Sequence, residues 1–503
     1  MISHRTQPWR RRVLLVIGYQ APVLLALGLA LLAPLLLAAW DARGMPPWRE
    51  VRSFLLPAFV CLSFGLLLRW WLGNISWNLS GTESLLVTTA VWLTTGVIGA
   101  IPFILLLETP LVDALLESVS GFTTAGTTML VGLDQMPRSI LLWRSLIQWL
   151  GGLGILLIVL IVGRAQGNNA NSLLSAEGVK ISSGRLSLNF EKAAIRFIQI
   201  YFVLTALQVV VTTLLGMSLF DSISHAMTTV ATGGYSPHDE SIAYYRNRPN
   251  IYPNYLAIER VLALFMLAGG TNFYVLFRLG KGQLAALWDG LEMRLLWLVV
   301  GGATLITAWN SWSLLDGAFT VWLHQSFFEV ASLVSTTGYE IKSTGTFPRE
   351  AKELFLLLMI IGGSAGSTAG GIKLIRLGIL GKFLAQQTRL LRSTSHTVHV
   401  PTIDGRPIPR SSFDQSIFIL LLWLLYLAVG GLIITLLAPY LPIADAYSTV
   451  FTAIGVFGPS FISVEQVIAL PDLAKLVFIV GMLAGRLEII PLLVFFNWAA
   501  WRR

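Results

Sequence analysis

The sequence predicts an all-α integral membrane protein: four helix–pore loop–helix repeats around a pseudo-fourfold pore axis, preceded by an extra pair of transmembrane helices. Three observations predict it. The chain is 55% hydrophobic and only 12% charged, whereas a soluble domain carries about 25% charged residues and needs them to keep its surface wet. Apolar runs of roughly 18 or more residues recur along the whole chain, each long enough to cross a hydrocarbon core as a helix. The alternating segments of about ten residues that build a membrane β-barrel do not occur. Finally, four shorter, mixed segments interrupt the long runs at regular intervals, and each ends in a small-residue turn with glycine.

Ten candidate spans fall at 13–40, 51–72, 84–107, 138–163, 193–216, 256–279, 291–313, 352–382, 413–438 and 472–499. The first follows Arg10, Arg11 and Arg12 and is about twice the 7–15-residue core of a signal peptide. It is therefore expected to be an uncleaved helix entered from the cytoplasm, with His4 and Arg5 ahead of it on that side. The loops on the same side are basic: Arg164, Lys180, Arg185 and Lys192; Arg278, Lys281 and Arg294; Arg376, Lys382, Arg389, Arg392, Arg406 and Arg410; and the terminal Arg502 and Arg503. The opposite loops are poorer, although Arg246, Arg248 and Arg260 lie there. The positive-inside rule then places both termini in the cytoplasm, and the net charge of +9 reads as membrane topology rather than as nucleic-acid binding. Trp70, Trp71, Trp77, Trp498 and Trp501 sit at span ends, where indole rings anchor to the interface. Cys61 is the only cysteine, so no disulfide within the chain and no cysteine-ligated metal is expected.

The four interrupting segments are 112–128, 220–236, 321–339 and 444–460. Each begins as a short amphipathic helix and follows one long run and precedes another. Aligned on Gly126, Gly233, Gly338 and Gly458, they recur at about 105–120 residues. The chain accordingly divides into a helix pair (1–80) and four repeats, at 81–170, 190–285, 289–385 and 411–503.

The turns read Thr124-Ala125-Gly126, Ala231-Thr232-Gly233, Thr336-Thr337-Gly338 and Val456-Phe457-Gly458. Irregular backbone at membrane depth survives only where protein buries it or where it lines a wet cavity. Four such turns around one axis present a ring of carbonyl dipoles, which can replace the hydration shell of an alkali cation. Glycine supplies the backbone angles that aim those carbonyls, and the short helices point their negative ends at the same place. Asp113, Glu117, Asp221 and Asp445 are expected to add negative potential at the outer mouth.

Residues 362–373 set five glycines among Ser364, Ser367 and Thr368 inside an apolar run. They should break the helix. The run lacks the spacing of a phosphate-binding loop and follows no strand, which leaves a packing kink or a flexible loop across the pore below the turns. Arg486 lies in the middle of the last apolar run, where a charge is expensive and must face the pore or a partner. Glu488 is a poor partner for it, because residues two apart on a helix do not face each other. Lys373 is either a second such charge or a side chain reaching the cytoplasmic interface. His225 is read as a hydrogen-bonded packing residue. His396 and His399 sit in a basic loop without acidic or cysteine partners and are not expected to hold a metal.

Several runs resemble the Trk/Ktr/HKT superfamily of potassium transporters: Ser118-Val-Ser-Gly-Phe-Thr-Thr-Ala-Gly126, Gln148-Trp-Leu-Gly-Gly-Leu-Gly154, Ala231-Thr-Gly-Gly-Tyr-Ser236, Gly362-Gly-Ser-Ala-Gly-Ser-Thr-Ala-Gly-Gly-Ile-Lys373 and Gly485-Arg-Leu-Glu488. The likeness runs from about residue 84 to the end, and the leading helix pair is similar to the bacterial TrkH branch. The resemblance implies that potassium is the substrate and that the loop glycines and the backbone around them form its filter. It also implies that Gly366, Ser367, Thr368, Ala369, Gly370 and Gly371 form a gate, held by Arg486 and joined by Lys373. Gly458-Pro459 matches the family, but Val456-Phe457 is bulkier than its pattern. No cofactor is expected. A homodimer in the bacterial inner membrane is implied, together with a separate TrkA-like regulatory subunit that binds the nucleotide.

Two rivals stand beside this reading. A sodium- or proton-coupled symporter, or a sodium-conducting member of the same fold, would share every feature above, although Gly126 favours potassium. A membrane-embedded lipid-modifying enzyme would need catalytic polar groups clustered at one interface, and none is seen in the sequence.

Overall fold

The structure, a computed structural model, describes residues 8–73, 79–165, 186–392 and 400–502. His4, Arg5, Trp77, Lys180, Arg185, His396, His399 and Arg503 lie outside the described residues.

Two helices, α1 (Pro8–Ala30) and α2 (Leu32–Asp41), make the first span, which is 33 residues long. It returns through α3 (Trp48–Leu72). The two spans cross closely: a methyl group on Gly28 would lie 2.7 Å from Leu62 Cγ, and one on Gly65 3.0 Å from Leu25 Cγ. In lipid there is no hydrophobic drive between helices, so small residues that let backbones approach carry the association.

Four units follow. The first is α4 (Gly81–Leu107), α5 (Leu111–Thr123) and α6 (Arg138–Ala165). Ser80 and Glu83 close a reciprocal capping box at the start of α4. The second is α7 (Leu186–Leu214), α8 (Leu219–Val230), α9 (Tyr255–Gly269) and α10 (Phe273–Gly280). The third is α11 (Gly290–Leu314), α12 (Phe319–Val334), α13 (Arg349–Ile360) and α14 (Leu374–Leu390). The fourth is α15 (Arg410–Leu437), α16 (Ile443–Gly455), α17 (Asp472–Arg486) and α18 (Ile490–Phe496), with α19 (Trp498–Arg502) at the end.

The ten predicted spans are not ten straight helices. Among the described residues, seven helices are long and apolar enough to cross alone. The predicted span 256–279 bends by 113° between α9 and α10, and 472–499 bends by 115° between α17 and α18. Asn272 restarts the first pair by accepting the Tyr274 amide, and Glu488 and Ile489 turn the second with φ of 57° and 65°. The span 352–382 is interrupted between α13 and α14, as its glycines require. Ile361 and Ile372 pair across the neck of that interruption, and Gly371, with φ of 70°, lies so close to Gly362 that a methyl group there would sit 2.6 Å from the Gly362 Cα.

β structure is confined, among the described residues, to that bridge and to a hairpin of β1 (Thr402–Ile403) and β2 (Arg406–Pro407). Asp404 and Gly405 form its turn with φ of 50° and 77°, the backbone that an Asp-Gly pair supplies in a tight hairpin. Asp404 Oδ1 also accepts the Leu291 amide at 2.9 Å, which docks the hairpin on the start of α11. The apolar interior falls into two large clusters. One joins the leading helices to the first and fourth units, and the other joins the second and third units.

Candidate functional site: four loops around one axis

The short helices α5, α8, α12 and α16 end alike. Thr124, Thr232, Thr336 and Val456 take left-handed φ of 58°, 54°, 56° and 57°. Their amides donate to the carbonyl three residues back, and the next amide in each loop donates five residues back. Next come Gly126, Gly234, Gly338 and Gly458. The equivalent residues are therefore Thr124-Ala125-Gly126, Thr232-Gly233-Gly234, Thr336-Thr337-Gly338 and Val456-Phe457-Gly458. This corrects the second loop by one position: Gly234, not Gly233, matches Gly126, and Ala231 belongs to the end of the helix. The sequence misleads because Gly233 and Gly234 are adjacent, and only the backbone says which one turns.

The four loops close a ring. A methyl group on Gly126 would strike the carbonyl oxygen of Gly233, and one on Gly234 would strike that of Thr337. On Gly338 it would lie 3.0 Å from the Gly458 nitrogen, and on Gly458 2.9 Å from the Gly126 oxygen. Each loop thus meets the next and the fourth returns to the first, so backbones approach where no side chain fits. A cavity of about 180 Å³ opens beside the ring and is lined by Gly126, Gly234, Gly338 and Gly458 together. Val456 and Phe457 are both fully buried, the first in the cluster of the first and fourth units and the second in that of the second and third.

Polar side chains brace the ring from behind. Gln148 Nε2 donates to the Gly233 carbonyl at 2.7 Å, and its Oε1 accepts the Tyr235 amide at 3.0 Å. The Tyr235 hydroxyl crosses to the first loop and donates to Glu117 O at 2.8 Å. Arg144 Nε donates to Glu117 Oε1 at 2.8 Å with both side chains buried, and Arg144 Nη1 reaches Ser236 O at 2.9 Å. Glu117 and Asp113 are therefore not free negative charges at the mouth: the first is matched by Arg144, the second by Lys475 at 2.6 Å. Leaving either carboxylate buried without its cation would cost about 3–5 kcal/mol. His225 is fully buried and bonded through both ring nitrogens, to Asp221 O and Ser236 Oγ. Gly234, Gln148, Tyr235 and Arg144 are the residues that sequence reasoning missed as parts of the ring. The motif around Gln148 was visible, but its partner lay 85 positions away.

Residues 362–371 lie against the other side of this ring. The Gly370 amide donates to Thr336 Oγ1 at 2.7 Å, and Thr368 Oγ1 lies within hydrogen-bond distance of two carbonyls, Val230 O at 2.9 Å and Gly269 O at 3.0 Å, with one proton to donate between them. The Ser364 amide reaches Gly270 O at 2.8 Å and the Ala365 amide reaches Glu292 Oε1 at 2.7 Å. Lys373 Nζ donates to the Ala369 carbonyl, so it is tied to this loop. Arg486, 3% exposed, donates to Thr368 O at 2.6 Å and to Gly151 O at 3.3 Å. Its acceptors are carbonyls; Glu488, in turn, pairs with Arg376.

Residues 52–500 match the family described as TrkH, cation transport protein. The chain belongs to the TrkH family. It is 32% identical over 461 residues to the Trk system potassium uptake protein TrkH of Salmonella typhimurium, covering 90% of this chain and 92% of that one. The corresponding TrkH protein of Halomonas elongata is 28% identical over 98% of this chain and 99% of its own. The crystal structure of the potassium transporter TrkH from Vibrio parahaemolyticus superposes with a TM-score of 0.82 at 28% identity, covering 97% of this chain and 100% of that chain. Membership in a family of transport proteins replaces the lipid-modifying enzyme reading, and the fourfold helical membrane architecture is that of the TrkH fold.

Proposed function

We propose that this chain carries potassium downhill across the bacterial inner membrane through the ring of four loops, with residues 366–371 as its gate. The observation that carries the reading is the closure of the ring, loop to loop, around a cavity that all four glycines line. Thr124, Ala125, Gly126, Thr232, Gly233, Gly234, Thr336, Thr337, Gly338, Val456, Phe457 and Gly458 then form the filter, and their carbonyls take the place of water around the ion. The names of the Salmonella, Halomonas and Vibrio relatives support potassium as the ion. The hydrogen bonds of Thr368 and Gly370 support the gate, and Arg486 and Lys373 hold it shut.

The same reading places both termini in the cytoplasm, makes the chain one half of a homodimer and assigns nucleotide binding to a separate TrkA-like subunit. The basic cytoplasmic loops support the orientation and offer that subunit a surface. The test is potassium or rubidium flux into proteoliposomes, with sodium as competitor and with Gly126→Ser alongside. Potassium-selective flux that loses selectivity in the variant supports the reading; no flux, even with 366–371 deleted, rejects it.

A further inference from the structure

Two carboxyl groups lie behind the third loop with no cation to match them among the described residues. Glu329 is on α12 and fully buried. Glu340 follows Gly338 by two residues, is half-buried and lines the cavity with the four loop glycines. Between them sits Thr344, whose Oγ1 is 2.9 Å from Glu329 Oε1 and 2.5 Å from Glu340 Oε1. The Thr344 amide also donates to Glu340 Oε1, at 2.7 Å.

The charged groups around the pair are engaged elsewhere. His324, on the same helix, and Arg246 both hold Glu259 at 2.6 Å. Lys342 lies over the rings of Trp322 and Phe347 at 4.4 and 5.8 Å. Lys352 donates to Gly345 O at 3.1 Å, and Arg248 pairs with Glu240 at 2.9 Å. Asp239, across the cavity, accepts the Gly132 amide at 2.9 Å.

A hydroxyl carries one proton. It can donate to one carboxylate oxygen, and at the second it must accept, which requires a carboxylic acid there. The Thr344 amide and hydroxyl together mark Glu340 as the anion. Glu329 is then the acid, donating to Thr344 Oγ1. Its other oxygen, Oε2, is buried without a partner, a position that a neutral carbonyl oxygen tolerates far better than half of a carboxylate. Two carboxyl groups that share a site without a countercation hold a proton between them for the same reason.

We propose that Glu329 and Glu340 form a proton-binding pair that keeps a single negative charge at the outer mouth and exchanges protons against the cation entering there. The exchange rests on the pore reading above; the proton on Glu329 does not. A cation beside Glu340 favours its carboxylate, and a proton on Glu340 removes the attraction, so outside acid and the transported cation compete. Burial holds the Glu340 carboxyl above the usual carboxylate range, which brings that competition toward milder acidity.

Infrared difference spectra of the purified full chain, with and without potassium, test the pair directly. A protonated-carboxyl C=O band is expected near neutral pH, absent in Glu329→Gln and perturbed by potassium in the native chain. The glutamine keeps a donor toward Thr344, so the variant should fold. Potassium flux into proteoliposomes is expected to fall with outside pH, by at most about tenfold per unit for one titrating group. The fall should vanish in Glu340→Gln and persist in Glu329→Gln, whose amide replaces a carboxyl that is already neutral. A missing band, a band that survives Glu329→Gln, or the same pH profile in Glu340→Gln overturns the proposal. If no variant conducts at any pH, the pore reading has failed, and the infrared band still decides the pair.

Discussion

Arg486 donates to the Thr368 carbonyl at 2.6 Å and joins the end of α17 to the loop that interrupts the third unit. The second bond, to Gly151 O at 3.3 Å, reaches α6 of the first unit. One guanidinium thus holds three of the four units where residues 362–371 cover the ring. It does so with carbonyl acceptors and with no carboxylate pairing among the described residues. A latch of this kind releases more easily than a buried ion pair, whose separation strands two charges.

Arg486→Gln should therefore raise basal potassium flux through the isolated chain. A hydrogen bond from a charged donor contributes about 1.5–3 kcal/mol, so a closed-to-open shift of roughly 10-fold at the low end of that range and 150-fold at the high end is expected. Rubidium uptake into proteoliposomes reads it. Unchanged basal uptake with a stable, folded variant would remove Arg486 from the gate.

The register of the second loop makes a prediction of its own. Gly234→Ala places a methyl group against the Thr337 carbonyl at a φ of 77°, where neither backbone can yield. Gly233→Ala first meets the amide end of Gln148, a side chain rather than backbone, which yields at the expense of its bonds to Gly233 O and the Tyr235 amide. Flux and selectivity should collapse in Gly234→Ala and survive in part in Gly233→Ala. The reverse order would restore Gly233 as the equivalent of Gly126.

These two cases show what the sequence carries and what it does not. Hydropathy locates the seven helices that are long and apolar enough to cross alone among the described residues, because lipid leaves a chain few ways to satisfy its backbone. The break at 362–373 is visible because five glycines cannot propagate a helix. The bends after Gly269 and Arg486 are not visible, because apolar residues continue on both sides of each turn and a hydropathy window averages across it. The braces on the ring are hidden for another reason. Gln148 and Gly233, or Arg144 and Ser236, meet only once two units have docked, and no local pattern marks a hydrogen bond between distant repeats.

Outside the membrane, His238 ties the first unit to the second. Its Nδ1 is 2.5 Å from Asp134 Oδ1, its Nε2 is 3.5 Å from Asp221 Oδ2, and its ring stacks on Tyr244 at 3.5 Å. Burial disfavours the imidazolium, but the bonds to Asp221 and Asp134 outweigh it and hold His238 above its ordinary value. A raised folded value means that its contribution to stability is present in full below about pH 6.5 and fades as pH rises through the folded value. His238→Gln should lower the Tm of the detergent-solubilised chain in mild acid, and the two melting curves should converge in alkali. A constant gap across that range would show that the ring acts through packing alone.

The last relationship runs through two neighbouring residues at the start of α11. The Leu291 amide donates to Asp404 of the β1–β2 hairpin, and the Glu292 carboxylate accepts the Ala365 amide of the loop proposed as the gate. Glu292→Ala leaves that buried amide without an acceptor, which costs about 1–3 kcal/mol. If the cost falls on the closed arrangement, basal flux rises about 5- to 150-fold, while Glu292→Gln keeps an acceptor and changes little. Asp404→Ala removes a bond of the helix-capping kind, about 1 kcal/mol, and loosens the segment that carries Glu292. A double-mutant cycle decides whether the hairpin acts through Glu292. Independent sites add to within about 0.3–0.5 kcal/mol, so effects on flux that simply add would mean that the hairpin steadies α11 without reaching the gate. A double variant no leakier than Glu292→Ala alone would mean that hairpin, helix start and gate loop move as one connected element.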